Sequence, residues 1–151
     1  MLLLKISGGI FLLLSGTFTG FYFSYKLKQR ITVLNQTVAG IKKAETLVGF
    51  SSKNIYEILN ICFDDAEFLS ISNNKISVDY GAFSDEDRIM FRNFLKDIGT
   101  SFSEDEKTKC NGYIKLFENS LFSAQKEYDT KNKIYKISGL CAGLALCILI
   151  I

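Results

Sequence analysis

The sequence contains no histidine, no proline and no tryptophan among its 151 residues. Without histidine, the chain lacks the commonest protein ligand for metals and the usual proton shuttle near neutral pH. Its four cysteines form no CxxC pair, and neither a Gly-Lys-Ser phosphate loop nor a Gly-x-Gly-x-x-Gly turn occurs. A serine or cysteine nucleophile would have no imidazole base. We therefore predict a protein that is not an enzyme and that binds no metal and no cofactor.

The balance of charge also narrows the choice of partners. The chain carries 18 basic and 16 acidic residues. A nucleic-acid-binding protein needs a strongly basic face to neutralise phosphates. A nearly neutral chain does not provide such a face, and we therefore predict that nucleic acid is not the partner.

Two stretches without any charged residue, 6–25 and 137–151, lie at opposite ends of the chain. An α-helix needs about 20 apolar residues to cross a bilayer, and the first stretch is long enough. The second is short, but Ile134 and Tyr135 extend it because flanking lysines can reach back to the headgroups. We expect transmembrane helices at residues 1–25 and 134–151. The alternatives are a cleaved secretory signal for the first stretch and a buried core helix for the second.

Basic residues flank both apolar stretches on the side that faces the middle of the chain. They are Lys26, Lys28, Arg30, Lys131, Lys133 and Lys136. Positive charge next to a membrane helix marks its cytoplasmic end. The sequence therefore predicts a cytoplasmic head of residues 26–133, with both termini on the far side of the membrane. A signal peptide would carry its basic residues before the apolar run, which disfavours that alternative.

The head has the periodicity of amphipathic helices. Apolar residues recur every three or four positions at Leu27, Ile31, Leu34, Val38 and Ile41. Ser84, with Asp87 three residues on, predicts the capped start of a further helix that ends at Gly99. Residues 64–83 are expected to form a loop or short helices. We predict an all-α fold, an antiparallel cytoplasmic helix bundle flanked by the two transmembrane helices.

Glycines occur at helical spacing in both predicted membrane helices. Gly16 and Gly20 share one helix face, as do Gly139 and Gly143, and Gly9 extends the first of these faces. Small residues allow the backbones of membrane helices to approach closely. We predict that the helices pack along these faces; the alternative is the ordinary abundance of glycine in membrane helices.

Carboxylates supply the candidate docking residues. The apolar seam continues by four residues from Ile41 to Glu45, where a carboxylate is costly unless it is paired. One interpretation is a structural partner, either a lysine of a neighbouring helix or backbone N–H groups at a helix start. The other is an acidic docking patch formed with Glu57. A membrane enzyme that uses Glu45, Asp64 and Asp65 is a weaker alternative, because Asp64 and Asp65 fit the start of a helix.

Short motifs in a fixed order connect the chain to a known family. They include Ser15-Gly-Thr-Phe-Thr-Gly20, Phe94-Leu-Lys-Asp-Ile-Gly99 and Lys133-Ile-Tyr-Lys-Ile-Ser-Gly. In their order and spacing they resemble the stage III sporulation protein AB family of endospore-forming bacteria over nearly the whole chain. The sequence departs from the family pattern at Leu47, Ser103 and Cys110, and it has no tryptophan.

The resemblance implies a function that the residues alone leave open. Members of this family are non-enzymatic membrane components of a channel-like complex between mother cell and forespore. The head is similar to a cytoplasmic repeat of the platform proteins of type II secretion and type IV pilus machines. The implied partners are other stage III sporulation membrane proteins and a secretion-type ATPase, at the outer forespore membrane. The alternative is a helical membrane adaptor or sensor unrelated to secretion.

Overall fold

The structure is a computed structural model that describes residues 2–48, 54–73, 75–99 and 103–150. Within these residues, four helices and one pair of strands follow each other along the chain. They are α1 (Leu2–Val48), α2 (Ile55–Cys62), β1 (Leu69–Ser72), β2 (Lys75–Val78), α3 (Asp85–Asp97) and α4 (Ser103–Ile150). The prediction of a largely helical chain is confirmed.

The chain divides into two compact units. The first, which we call the helix-pair unit, consists of Met1–Gln29 and Ala124–Ile151; the second, the head unit, is Arg30–Ser123. The helix-pair unit contains the first part of α1 and the last part of α4. All other helices and strands belong to the head unit, and we describe each unit by itself.

Apolar side chains from all four helices form the core of the head unit. Leu34 and Ile41 of α1, Leu59 of α2, Phe94 of α3 and Phe117 of α4 are all at most 1% exposed. The predicted seam of α1 is thus confirmed at its buried positions. At the centre, the ring of Phe91 packs against five other phenylalanine rings of the head at centroid distances from 5.5 to 6.3 Å.

The two long helices run antiparallel within the head unit. Lys42 of α1 contacts Glu118 of α4, and Glu45, further along α1, contacts Asn111, which comes earlier in α4. As residue numbers rise on one helix, they fall on the other. This arrangement agrees with the predicted antiparallel bundle.

The capping signals of α3 act as the sequence indicates. The Ser84 hydroxyl accepts a hydrogen bond from the backbone N–H of Asp87, whose carboxylate accepts one from the backbone N–H of Ser84. This reciprocal capping box satisfies N–H groups that have no partner inside the helix. At the other end, Gly99 has a φ of +81°, a conformation that glycine adopts without a steric penalty. The predicted start and stop of α3 are confirmed.

The prediction of an all-α fold is wrong in one region, because β1 and β2 form an antiparallel hairpin. The register pairs Leu69 with Val78 and Ile71 with Ile76. Apolar and polar residues alternate along β1, which suits a strand with one buried face. The turn places Asn73 at a φ of 49°, which asparagine tolerates better than most residues. The backbone N–H of Asp79 extends the pairing by donating to the Phe68 carbonyl at 2.8 Å.

The helix-pair unit consists of the antiparallel ends of α1 and α4. The Ser24 hydroxyl donates a hydrogen bond to the Asn132 side chain, and the Phe23 and Tyr135 rings are 5.8 Å apart. Among the described residues, no helix combines the length and the apolar character that crossing a membrane requires. The two membrane helices that the sequence predicts are thus not found in that part of the chain.

Candidate functional site

Glycines bring the two backbones of the helix-pair unit into direct contact. A Cβ atom on Gly16 would lie 2.7 Å from the Gly139 carbonyl oxygen and 3.0 Å from the Gly143 Cα. A Cβ atom on Gly20 would lie 2.5 Å from the Tyr135 carbonyl oxygen. Real side chains do not fit at such distances, and both positions therefore require glycine while the helices stay this close.

The structure thus brings together four of the five glycines singled out in the sequence. Gly9 lies in α1, but its side-chain surroundings are outside the described residues. The location of this glycine contact in a membrane remains a prediction. Beside the contact lies a groove of about 660 Å³, which includes Ser15, Thr19 and Ala142 in its lining. The Thr19 hydroxyl donates to the Ser15 carbonyl at 2.9 Å, which leaves the groove largely apolar.

Large apolar side chains cover the outside of the helix-pair unit. Phe11 is 78% exposed, Phe18 is 77% exposed, and Ile148 is 77% exposed. We call the following residues the apolar outer surface: Phe11, Leu14, Phe18, Ile134, Ile137, Leu140, Leu144 and Ile148. Extended exposed apolar patches of this kind mark contact with another protein or with a membrane.

Aromatic rings and lysines occur together at one level of the helix-pair unit. We call these rings the aromatic belt: Phe21, Tyr22, Phe23, Tyr25 and Tyr135. The Lys26 ammonium lies 5.6 Å from the centroid of the Tyr22 ring. The Lys136 ammonium lies 5.6 Å from the centroid of the Phe21 ring. Cations at this distance are attracted to the faces of aromatic rings.

The two candidate docking glutamates lie on different helices of the head unit. Glu45 is half-buried on α1 and accepts a hydrogen bond of 2.6 Å from the Asn111 side chain on α4. Among the described residues, its partner is a neutral amide, whereas the structural interpretation predicts a lysine or backbone N–H groups. The buried seam continues from Ile41 to Ala44, three residues on, which turns Glu45 towards the edge. Glu57 is exposed in the first turn of α2, where the helix dipole stabilises a carboxylate.

The expected helix-start role of Asp64 and Asp65 is wrong. Both aspartates follow the last residue of α2, whose start is capped by Asn54. The Asp65 carboxylate lies 3.4 Å from the Lys43 ammonium, and both side chains are largely exposed. Exposed pairs of this kind contribute at most about 1 kcal/mol. Across the described ranges, no group of three acidic or cysteine side chains is arranged to hold a metal ion.

The sequence analysis missed an ion pair that connects α1 with α3. It assigned Arg30 to the basic flank of a membrane helix, whereas the Arg30 Nε donates to the Asp87 Oδ2 at 2.9 Å. The guanidinium also donates to the Ser84 hydroxyl at 3.3 Å. Asp87 is fully buried, and the Arg30 side chain is 21% exposed. The sequence contains one signal for this ion pair, which is the capping box. Its carboxylate, Asp87, needs a positively charged or hydrogen-bonding partner if the start of α3 is buried.

The electrostatics of Asp87 follow from these contacts. Burial on its own raises the pKa of the Asp87 carboxyl. The side chains of Ser84, Arg30 and Ser120, together with the positive charge of Arg30, outweigh burial and hold this pKa below its usual value. Asp87 is therefore ionised at neutral pH and contributes to the stability of the head unit in that form.

The two cysteines of the head unit are packed in its interior. Cys62 is 2% exposed and Cys110 is 1% exposed. Burial raises the pKa of each thiol to about 11. The carboxylates of Glu106 and Glu45 act on Cys110 in the same direction. Since the thiolate is the reactive form, both cysteines are poor nucleophiles at neutral pH.

Comparison with known proteins identifies the family. The family model described as stage III sporulation protein AB matches residues 64–151, which is more than half of the chain. The chain belongs to the stage III sporulation protein AB family, as its motifs indicate. The match covers β1, β2, α3 and α4 and begins after α2. Searches of curated proteins and of solved structures gave no match.

Proposed function

We propose that the chain is a non-enzymatic membrane platform component of the sporulation channel complex between mother cell and forespore. The observation that carries this proposal is the family match over residues 64–151. In this role the chain converts no substrate, and its head unit docks a secretion-type ATPase. Other stage III sporulation membrane proteins are its neighbours in the complex.

The features of the helix-pair unit support a location in the membrane. Its apolar outer surface is suited to contact lipid acyl chains, and its aromatic belt is suited to the level of the headgroups. In the sequence, exposed lysines lie between the aromatic belt and the head unit. Lys26 and Lys28 follow Tyr25, and Lys131 and Lys133 precede Tyr135. By the positive-inside rule, the head unit faces the mother-cell cytoplasm and both termini lie on the far side of the outer forespore membrane.

Two carboxylates of the head unit support a docking role. Glu57 is exposed, and Glu45 keeps part of its carboxylate accessible while it contacts Asn111. Within the described part of the chain, the partner of Glu45 is a neutral amide, whereas Asp65 is paired with the positive charge of Lys43. We therefore assign Glu45 and Glu57 to an acidic surface that meets basic residues of the ATPase.

Co-purification from sporulating cells tests this proposal. The full-length chain carries an affinity tag, and the recovered ATPase is measured for the wild type and for Glu45→Gln and Glu57→Gln. Glu67→Gln is the matched control, because Glu67 is an exposed glutamate of the same unit. We expect each docking variant to recover at least about fivefold less ATPase, since one interfacial charge pair contributes about 1 kcal/mol or more.

The outcomes separate the proposal from its alternative. Recovery of the ATPase with the wild type, and its loss with the docking variants only, supports the platform role. Failure of the wild type to recover any ATPase contradicts the docking role and favours an adaptor or sensor unrelated to secretion. An equal loss with Glu67→Gln would show that overall charge, and not this surface, governs the association.

A further inference from the structure

Lysines dominate the charged residues of the helix-pair unit next to the aromatic belt. Between residues 26 and 28 and between residues 126 and 136 there are six lysines and two acidic residues, Glu127 and Asp129. We call the six the lysine band: Lys26, Lys28, Lys126, Lys131, Lys133 and Lys136. All six lysines are exposed. The chain as a whole is nearly neutral, and this local excess of positive charge is a property of the unit.

The antiparallel register places lysines of the two helices beside each other. The hydrogen bond between Ser24 and Asn132 places the residues just after Ser24 beside those just before Asn132. Lys26 and Lys131 therefore lie at the same end of the helix pair, although they are far apart in sequence. The ammonium groups of Lys26 and Lys136 rest on rings of the aromatic belt, each 5.6 Å from a ring centroid.

We propose that the lysine band binds the anionic headgroups of phospholipids. This inference rests on the membrane location given in the proposed function. Ammonium groups are the donors that lipid phosphodiesters accept, and the ring contacts hold two of them at the depth where aromatic belts meet headgroups. A bilayer with anionic lipid supplies both the apolar layer for the apolar outer surface and, directly next to it, a negatively charged layer. An acidic protein would match the lysines but not the apolar surface that adjoins them.

The expected size of the effect follows from the charge of the band. Each lysine close to an anionic membrane surface favours binding by about fivefold. The attraction is electrostatic, and it therefore weakens as added salt screens it. Within its own helix, Lys131 is paired with Glu127 at 2.7 Å, which partly offsets its charge. We therefore test Lys26, Lys133 and Lys136, of which Lys26 and Lys136 contact rings of the aromatic belt.

The test measures which lipids the full-length chain retains. The chain is reconstituted into nanodiscs with a mixture of zwitterionic phosphatidylcholine and anionic phosphatidylglycerol, and the lipids that stay bound on release are counted by native mass spectrometry. The test variant combines Lys26→Gln, Lys133→Gln and Lys136→Gln. The control variant makes the same change at three exposed lysines of the head unit, which are Lys75, Lys96 and Lys115.

We expect the wild type and the control to retain phosphatidylglycerol in excess over the bulk mixture, and the test variant to reduce this excess at least fivefold. The excess should also fall at high salt. A wild type that enters nanodiscs without any lipid preference, or a test variant with the wild-type preference, overturns the inference and leaves the membrane location intact. A chain that enters no nanodisc of either composition overturns the membrane location itself.

Discussion

The ion pair between Arg30 and Asp87 gives the sharpest prediction for stability. Asp87→Ala removes a fully buried carboxylate that accepts hydrogen bonds from Arg30 and from the backbone N–H of Ser84. Two losses follow. The Arg30 guanidinium loses its contact with the Asp87 carboxylate in a largely buried position, and the first turn of α3 loses one half of its capping box.

The magnitude follows from these two losses. Breaking a buried ion pair by removing one partner costs about 3–5 kcal/mol, and the 21% exposure of Arg30 favours the lower end. We therefore expect Asp87→Ala to destabilise α3 by about 3 kcal/mol, which corresponds to roughly a hundredfold in an equilibrium constant. The matched control is Asp85→Ala, which removes a carboxylate from the same turn. Asp85 is 92% exposed and lies 3.5 Å from Arg88, so that its removal should cost less than about 0.5 kcal/mol.

Amide hydrogen exchange of the full-length chain in detergent is the assay. Peptides from α3 in Asp87→Ala should exchange roughly a hundredfold faster than in the wild type, and those of Asp85→Ala should stay within about threefold. The double variant Arg30→Met with Asp87→Ala should be less destabilised than the sum of its single variants, because neither partner is left unpaired. Equal effects of Asp85→Ala and Asp87→Ala, or strict additivity in the double variant, would refute the reasoning.

The same pair predicts a dependence on pH. The pKa of Asp87 is lower in the folded chain than its usual value of 3.8. Its contribution to stability is therefore fully present above the unfolded pKa and is lost as the pH falls through the folded pKa. Far-ultraviolet circular dichroism should show that wild-type thermal stability falls below about pH 4. Asp87→Asn should lack that part of the fall, and an unchanged profile in this variant would contradict the assignment.

Three further predictions concern positions where the packing is tight. Gly40→Ala places a Cβ atom against the ring of Phe63 and should destabilise the head by about 1–3 kcal/mol in thermal unfolding. Gly112→Ala, with open space around it, should be neutral or stabilising by up to about 1 kcal/mol. Gly16→Ala should widen the distance between spin labels on α1 and α4 within the helix-pair unit, and Gly8→Ala, which has nothing within 4 Å, should not. Cys110 should resist maleimide at neutral pH until the chain unfolds, because burial raises its pKa to about 11; rapid labelling of the folded chain would contradict this.

Much of the helical fold could be read from the sequence because its signals are local. The three- and four-residue spacing of Leu34, Val38 and Ile41 predicts the buried face of α1, and all three residues are buried. The pairing of Ser84 with Asp87 predicts the start of α3, and Gly99 predicts its end. Each of these signals depends on neighbours within one or two helical turns, which a single sequence displays directly.

The remaining features depend on contacts between distant parts of the chain. The strands Leu69–Ser72 and Lys75–Val78 are short, and their alternation alone does not distinguish a hairpin from a loop. Arg30 follows an apolar stretch among lysines, and its role became visible only when α3 placed Asp87 beside it. For Glu45, the structural interpretation predicts a lysine or backbone N–H groups as the partner, whereas the partner among the described residues is Asn111 of α4.

Photo-crosslinking in sporulating cells tests the platform role most directly. A photoreactive residue replaces Asn60, which is exposed on α2 one turn from Glu57, and in a second strain it replaces Ile114, which is buried in the head. We predict that illumination attaches the secretion-type ATPase at position 60 and not at position 114. Attachment of the ATPase at neither position, in cells where both variants are produced and sporulation proceeds, would contradict the proposal that this head docks the ATPase.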